Sequence, residues 1–362
     1  MKKISNVGVG IVGCGFIANF KHLPALKNIK EADVVAVFDS DRKKAEEVAA
    51  NYGNEAIVYN SIEELLSDNR VDTVYVLTSN GTHSEYAIKA MEAGRHVLCE
   101  KPMALNVEEA ERMLETSERT GKKLTIGFQN RLLPSVQYLK KMSQEGKFGE
   151  IYYAKSLAVR RRSIPAHGSF LNKKIQGGGC LIDMGVHAID MALYLMNNYE
   201  VDSVMGNTYN YLGKRPTSTN ANGIWKAEDF QVEDSAFAMV RMKNGATLQI
   251  ECSWALNTLQ VYENKVVLCG TEAGADMLDG VRINGESCGE LIITKPDVEH
   301  KMSADPDYFF AMKKEPVTES RLWIDAIIND TEPFVKAREA YTVSKIIDGI
   351  YRSAEIGESV KL

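Results

Sequence analysis

No two cysteines in this chain have the Cys-x-x-Cys spacing of a metal knuckle or a redox motif. The six that occur, Cys14, Cys99, Cys180, Cys252, Cys269 and Cys288, are scattered, several of them inside apolar strand-like runs. This scatter disfavours zinc sites and disulfide frameworks. It predicts buried free thiols in a reducing compartment, with the cytoplasm as default location and no metal centre. Long basic runs are missing as well, and the net charge is -6, so nucleic acid and anionic membrane are poor candidates for the main partner. The basic Met1-Lys2-Lys3 is followed by an apolar run that is short and carries glycines; neither a signal peptide nor a membrane span is expected there. Internal repeats and low-complexity tracts are also absent. What remains is an ordinary soluble composition, 44% hydrophobic and 25% charged over 362 residues, enough chain for two domains.

The first half alternates short apolar runs with amphipathic ones. Val7 to Val12 reads as a strand and runs into Gly13-Cys14-Gly15-Phe16-Ile17-Ala18, a G-x-G-x-x-A dinucleotide fingerprint. Gly13 permits the tight turn, Gly15 lets the backbone approach a pyrophosphate, and Ala18 allows close helix-strand packing. A second strand, 33–38, ends in Asp39, placed to accept hydrogen bonds from ribose hydroxyls. Its charge would repel a 2′-phosphate, so NAD is favoured over NADP, a preference tempered by nearby Arg42. Further strands are expected at 57–59, 73–77, 96–99 and 123–127, with helices at 43–52, 62–67, 85–93 and 107–120. This pattern predicts a doubly wound parallel sheet over residues 1–127. The loop Thr78-Ser79-Asn80-Gly81-Thr82-His83 follows the fourth strand and should border the cofactor. The fifth strand ends in Glu100-Lys101-Pro102, a pattern that delivers Lys101 to the carboxyl edge where ligands of such sheets bind.

Beyond Gly127 the alternation stops, and residues 128–362 read as an α+β domain. Strands are expected at 151–159, 235–242, 247–254, 261–269, 281–283 and 291–293, the second and third joined by an Asn244-Gly245 hairpin turn. A mostly antiparallel sheet with helices on one side follows, its open face covered by a sister subunit. Helices are expected at 319–330 and 338–354. Arg160-Arg161-Arg162 reads as a solvated edge. The run Gly177-Gly178-Gly179 leads into a helix over 181–196 that is apolar on nearly every side, except for a stripe of Asp183, His187, Asp190 and Tyr194. Ionisable groups on a buried helix must face an internal network or a polar cavity. The glycines would let a ligand or another backbone come close, which weights the stripe toward a site.

The succession Gly13-x-Gly15-x-x-Ala18, Asp39, Glu100-Lys101-Pro102, Gly127-Phe128-Gln129-Asn130-Arg131 and Gly177-Gly178-Gly179-x-Leu181-x-Asp183-x-Gly185-x-His187-x-x-Asp190 resembles the glucose-fructose oxidoreductase / inositol 2-dehydrogenase / rhizopine-catabolism (Gfo/Idh/MocA) family over essentially the whole chain. The resemblance implies a Rossmann domain, an α+β domain whose open sheet is used in oligomerisation, as a homodimer or homotetramer, a nicotinamide cofactor, and a sugar or polyol substrate. By motif position it implies a catalytic trio of Lys101, Asp183 and His187, and a cis Lys101-Pro102 bond. One departure is Ser79, where the family often has proline.

The expected reaction is hydride transfer between a secondary alcohol of a sugar, polyol or sugar derivative and NAD(P). His187 serves as base, Lys101 stabilises the developing alkoxide, and Asp183 binds a neighbouring hydroxyl or orients the imidazole. Residues expected at the cofactor are Gly13, Gly15, Phe16, Ile17, Ala18, Asp39, Arg42, Thr78, Asn80, His83, Glu100, Lys101 and Gln129. Arg131 and Arg162 are candidates for the substrate side. Two other classes share the resemblance, a glycosidase that cleaves by transient oxidation and elimination on bound NAD, and a non-catalytic sugar-sensing regulator. The joint presence of Lys101, Asp183 and His187 speaks against the regulator.

Overall fold

The computed structural model describes residues 6–53, 55–298 and 315–362, with side chains in the last segment from residue 318. Met1-Lys2-Lys3 lies outside the described residues. The chain divides into two compact units, Met1–Leu132 with Asp305–Tyr341, and Leu133–Ala304 with Thr342–Leu362. A single cut after residue 127 is therefore not how the chain is partitioned, because a late segment returns to the first unit.

The first unit holds six parallel strands: β1 (Val7–Val12), β2 (Ala32–Phe38), β3 (Ile57–Val58), β4 (Thr73–Val76), β5 (His96–Cys99) and β6 (Leu124–Ile126). Their order is β3-β2-β1-β4-β5-β6. Every residue of β1 and β4 is buried, as expected of central strands covered on both faces. The intervening helices begin where the sequence offers a cap. Asp41, Ser61 and Asn106 each accept a backbone N–H of the first turn. Behind Asn106, Glu109 reaches back to the N–H of Leu105 at 3.3 Å, and Gly121 in the left-handed region ends the helix Val107–Thr120.

The returning helix Glu315–Ile328 adds Trp323, Ile324 and Ile327 to the core around β1 and β2. Trp323 Nε1 donates to Thr73 Oγ1 at 3.1 Å, and Thr125 Oγ1 donates to the Val335 carbonyl at 2.9 Å. Reversal of strand order between β1 and β4 opens the crevice at the carboxyl ends where such sheets take ligands. Gly13, Asp39, Thr78, Lys101 and Gln129 follow β1, β2, β4, β5 and β6, so all five lie at that edge.

The second unit is built on one nine-stranded sheet. Its strands are β7 (Ile151–Val159), β8 (Val201–Tyr209), β9 (Ser235–Met242), β10 (Thr247–Ser253), β11 (Tyr262–Gly270), β12 (Gly274–Asp276), β13 (Arg282–Ser287), β14 (Glu290–Thr294) and β15 (Val360–Lys361), in the order β14-β13-β12-β11-β7-β10-β9-β8-β15. All neighbours are antiparallel except β7 and β10, which run parallel. Helices cover one face: Val186–Met196 packs on β7 and β11, and Ser353 Oγ accepts the Gly206 N–H at 3.0 Å. On the other face the strands alternate outward, with Met205 55% and Met239 58% exposed. The segment Lys173–Met196 is long and apolar enough to cross a membrane by length and composition, and 89% of its apolar window is buried inside the protein. It is a core helix of this unit. Of the cysteines, Cys14, Cys99, Cys180 and Cys252 are buried, Cys269 is half-buried and Cys288 is exposed; all six are free.

Candidate functional site

In the first unit the glycine loop is shaped by its neighbours. Gly13 has φ +96°, and a Cβ there would lie 2.7 Å from the carbonyl carbon of Leu77. Gly15 has nothing within 4 Å of its Cβ position, so the backbone is open on the side a pyrophosphate would approach. The loop turns into a helix whose Ala18–His22 stretch is a π-helix, a rare widening that is frequent at functional positions. Asn19 ties the loop by donating to the carbonyls of Cys14 and Gly15 at 2.9 and 3.0 Å. Ala18 is buried and Ile17 packs on the core. Phe16 and Phe20 are 77% and 72% exposed and stacked, ring centroids 5.1 Å apart.

Asp39 sits at the loop: its Oδ2 accepts the Cys14 N–H at 2.7 Å and its Oδ1 the Asp41 N–H at 2.8 Å. Arg42, by contrast, is exposed and engaged by Glu46 and Asn60. The free N–H groups at the start of the helix and the Asp39 carboxylate suit a dinucleotide, anion at the helix and ribose at the acid.

After β4, Thr78 and Asn80 are half-buried at the carboxyl edge. His83 is corrected by the structure. Its ring is buried with Nδ1 2.8 Å from the Pro102 carbonyl and Nε2 3.1 Å from the Thr78 carbonyl; both nitrogens face backbone, and the neutral ring donates to one of the two carbonyls. His83 ties the two loops together rather than reaching a cofactor, and burial pushes its pKa down. Glu100 is corrected in the same way. Its Oε1 lies 2.8 Å from both Lys21 Nζ and His22 Nε2, and its Oε2 accepts the Lys101 N–H at 3.0 Å. Both oxygens of this buried carboxylate are therefore engaged inside the protein rather than turned to a nucleotide. Gln129 Oε1 accepts from Lys21 at 3.1 Å. Lys101 is half-buried, and its bond to Pro102 is cis. Arg131 is fully buried and paired with Glu339, a structural ion pair rather than a substrate ligand.

In the second unit the glycine run admits another part of the protein, not a ligand. A Cβ on Gly179 would lie 2.0 Å from the Glu233 carbonyl oxygen, and one on Gly178 would lie 2.0 Å from Tyr351 Oη. Buried Glu233 accepts the N–H groups of Gly179 at 2.9 Å and Leu181 at 3.0 Å, and the Tyr351 hydroxyl at 3.0 Å. Burial raises its pKa against those bonds. The helix so anchored is π over Leu181–Gly185 and α over Val186–Met196. Asp183, half-buried on the π turn, accepts from Trp254 Nε1 at 3.0 Å. His187 is 8% exposed and Asp190 is fully buried.

The far end of the stripe is structural. Gln137 donates to Tyr194 Oη at 3.3 Å, and Lys140 Nζ donates to the Tyr194 carbonyl at 2.7 Å while lying 4.4 Å from the ring centroid. Arg162 is held by its own loop, donating to the Arg161 and Leu256 carbonyls and to Asn257.

Residues 7–128 match the oxidoreductase family model Gfo/Idh/MocA with an NAD-binding Rossmann fold, and residues 136–276 match the Gfo/Idh/MocA C-terminal domain. The chain belongs to the Gfo/Idh/MocA oxidoreductase family. Within this family it is similar to D-glucoside 3-dehydrogenase of Escherichia coli (strain K12), 32% identical over 99% of this chain and 98% of that one. Myo-inositol 2-dehydrogenase of Thermotoga maritima is 26% identical, covering 98% of each. Levoglucosan dehydrogenase in complex with NADH has the same fold, with a TM-score of 0.82 at 23% identity over 98% of this chain and 99% of that one.

Several residues that hold the candidate site residues in this family member carry no signal in sequence. Trp254, the partner of Asp183, closes an apolar strand like any core tryptophan. Glu233, the cap of the glycine run, lies 54 residues from Gly179. Lys21 and His22 look like the polar face of a short helix. Only their burial, 5% and 0% exposed, marks them out.

Proposed function

We propose that this chain oxidises a secondary alcohol of a sugar, sugar derivative or polyol with NAD, the amine of Lys101 and the side chains of Asp183 and His187 serving that alcohol. The observation that carries the reading is the carboxyl edge of the first sheet, where an open glycine loop, the Asp39 carboxylate and Lys101 follow β1, β2 and β5. When bound, the oxidised nicotinamide supplies a hydride acceptor. Gly13, Gly15, Asp39, Thr78 and Asn80 are the residues suited to hold it.

His187, an imidazole whose ordinary pKa lies near neutrality, removes the hydroxyl proton. Lys101 donates a hydrogen bond to the oxygen as charge develops on it. Asp183, fixed by Trp254, binds a neighbouring hydroxyl or orients the imidazole. The relatives named above act, by their names, on glucosides, inositol and levoglucosan, which supports a ring alcohol as substrate.

The test is a panel of glucosides, inositols and aryl glycosides incubated with the protein and NAD, following the near-ultraviolet absorbance of reduced nicotinamide. Net reduction is expected, with Lys101→Ala and His187→Ala each losing roughly a hundredfold or more in kcat. Near wild-type turnover in both folded variants would overturn the assignment, as would aryl glycoside cleavage without net reduction. The location is proposed to be the cytoplasm. The open face of the second sheet is proposed to pair subunits into a homodimer or homotetramer. Sedimentation should show an even-numbered assembly that Met239→Arg breaks.

A further inference from the structure

The first unit contains a buried cluster of charges that the reaction does not use. Lys21 Nζ donates to Glu100 Oε1 at 2.8 Å and to Gln129 Oε1 at 3.1 Å, and it is ion-paired with Glu319, whose Oε2 lies 2.8 Å away without an aligned hydrogen bond. His22 Nε2 shares Glu100 Oε1, while its Nδ1 is buried without a partner. The Nε2–H tautomer fits, since a bare acceptor is less costly to bury than an orphaned donor. Glu100 has turned its other oxygen back onto the N–H of Lys101. Gly127 leaves room for this, since a Cβ there would lie 3.1 Å from Glu100 Oε1.

The cluster therefore joins four pieces of the unit: the helix that follows the glycine loop, the lysine turn after β5, the turn after β6 and the returning helix Glu315–Ile328. Charge-assisted hydrogen bonds buried away from water, as between Lys21, His22 and Glu100, hold their groups firmly. It also links the loop that receives the cofactor to the turn that carries the amine.

We propose that Lys21 and His22 are positioning residues, which lock Glu100 on the Lys101 backbone and so set where the lysine stands relative to the glycine loop. The proposal rests on the reading that Lys101 acts on the alcohol. Burial opposes the ionised form of Glu100, but Lys21 and His22 hold its carboxyl well below the usual carboxylate range. The charged or titratable groups that face it are Lys21 and His22 from the first helix, His83 from the β4 side, Cys99 on its own strand and, through Lys21, Glu319. Without the ammonium, burial prevails and Glu100 takes up a proton at a higher pH. The Lys101 N–H then loses its anionic acceptor.

The test is steady-state kinetics of Lys21→Met, Lys21→Arg, and the double variant Lys21→Met/Glu319→Gln, which removes one charge of each sign and keeps the buried charge balanced should the single variant fail to fold. Displacement of a catalytic group by a fraction of an ångström to an ångström costs roughly ten- to a hundredfold. That loss is expected in kcat for both Met variants, with the NAD dissociation constant changed less than about threefold and partial recovery in Lys21→Arg. The kcat profile of the Met variants should also fall on the acid side at a pH where wild type is flat, a limb that adding Glu100→Gln abolishes. A merely structural role would lower the melting temperature and leave kcat per folded molecule and its pH profile unchanged; that result overturns the proposal. Lys101→Ala is measured alongside. If it retains turnover, the reading of Lys101 fails, whereas a dead Lys101→Ala beside an unaffected Lys21→Met defeats the positioning role alone.

Discussion

Gly13 and Gly15 stand two residues apart in one motif, yet alanine at the two positions should do opposite things. At Gly13 the backbone is at φ +96°, and the new Cβ would meet the Leu77 carbonyl group at 2.7 to 2.8 Å and Thr78 Cγ2 at 2.9 Å. Left-handed backbone costs an alanine about 1–2 kcal/mol, and overpacking against groups that cannot move away adds about 1–3 kcal/mol. A loss of roughly 2–5 kcal/mol in a unit of this size lowers the melting temperature by about 5–15 °C. At Gly15 the Cβ meets nothing, so Gly15→Ala should melt within a degree or two of wild type. What it loses is the space that a pyrophosphate would fill. Forfeiting one or two charge-assisted backbone hydrogen bonds, each about 1.5–3 kcal/mol, weakens NAD binding roughly ten- to a hundredfold or more. Calorimetric melting with and without NAD, together with titration calorimetry, separates the two effects. If Gly15→Ala binds NAD within twofold of wild type, the loop does not cradle the cofactor. A fall in its melting temperature as large as that of Gly13→Ala would show that the open space is not open.

Asp39→Ala should raise the KM for NAD roughly tenfold, by the loss of hydrogen bonds to an ionised group, and improve the use of NADP relative to NAD; an unchanged ratio of the two would show that the acid does not read the ribose. His96 carries a pH prediction. Burial first, then Lys122 and Lys123, lowers its pKa from 6.5 to about 4, and its Nδ1 accepts the Lys123 N–H at 3.0 Å. The unfolded chain therefore binds more protons between those values. The stability His96 provides is fully present above pH 6.5 and is lost as pH falls through about 4, a change of at most about 3 kcal/mol, reduced by the ring's partial exposure. His96→Asn should flatten the melting-temperature profile in that window, and an identical slope in the variant would refute the account.

The strands of the first unit were legible almost to the residue, because buried parallel strands are short apolar runs punctuated by caps and turns. The return of Glu315–Ile328 was not. Periodicity predicts a helix there but carries no information about which core receives it; that is decided by contacts such as Trp323 with Thr73, 250 residues apart. The parallel pairing of β7 with β10 inside an otherwise antiparallel sheet is likewise a matter of topology, invisible in either strand alone. The two π stretches, at Ala18–His22 and Leu181–Gly185, read as ordinary helix in sequence, although both carry candidate site residues, Ala18 in one and Asp183 in the other.

The site shows a sharper division. Spacing singled out the groups that could do chemistry, but it could not identify those already committed to the fold, because their partners are distant along the chain. His83 and Glu100 look in sequence like residues at a ligand, and so does Arg131. Their neighbours, the Thr78 and Pro102 carbonyls, Lys21 with His22, and Glu339, engage each of them from inside the protein. The same logic applies to the stripe on the second unit's helix. Tyr194 is held by Gln137 and Lys140, whereas Asp183 is oriented by the Trp254 indole N–H and remains half-buried. Burial of a polar group thus predicts neither structure nor catalysis. What decides is how its donors and acceptors are matched and whether a ligand can still reach it: Glu100 is engaged at both oxygens deep inside the first unit, while Asp183 is oriented by Trp254 and still meets solvent.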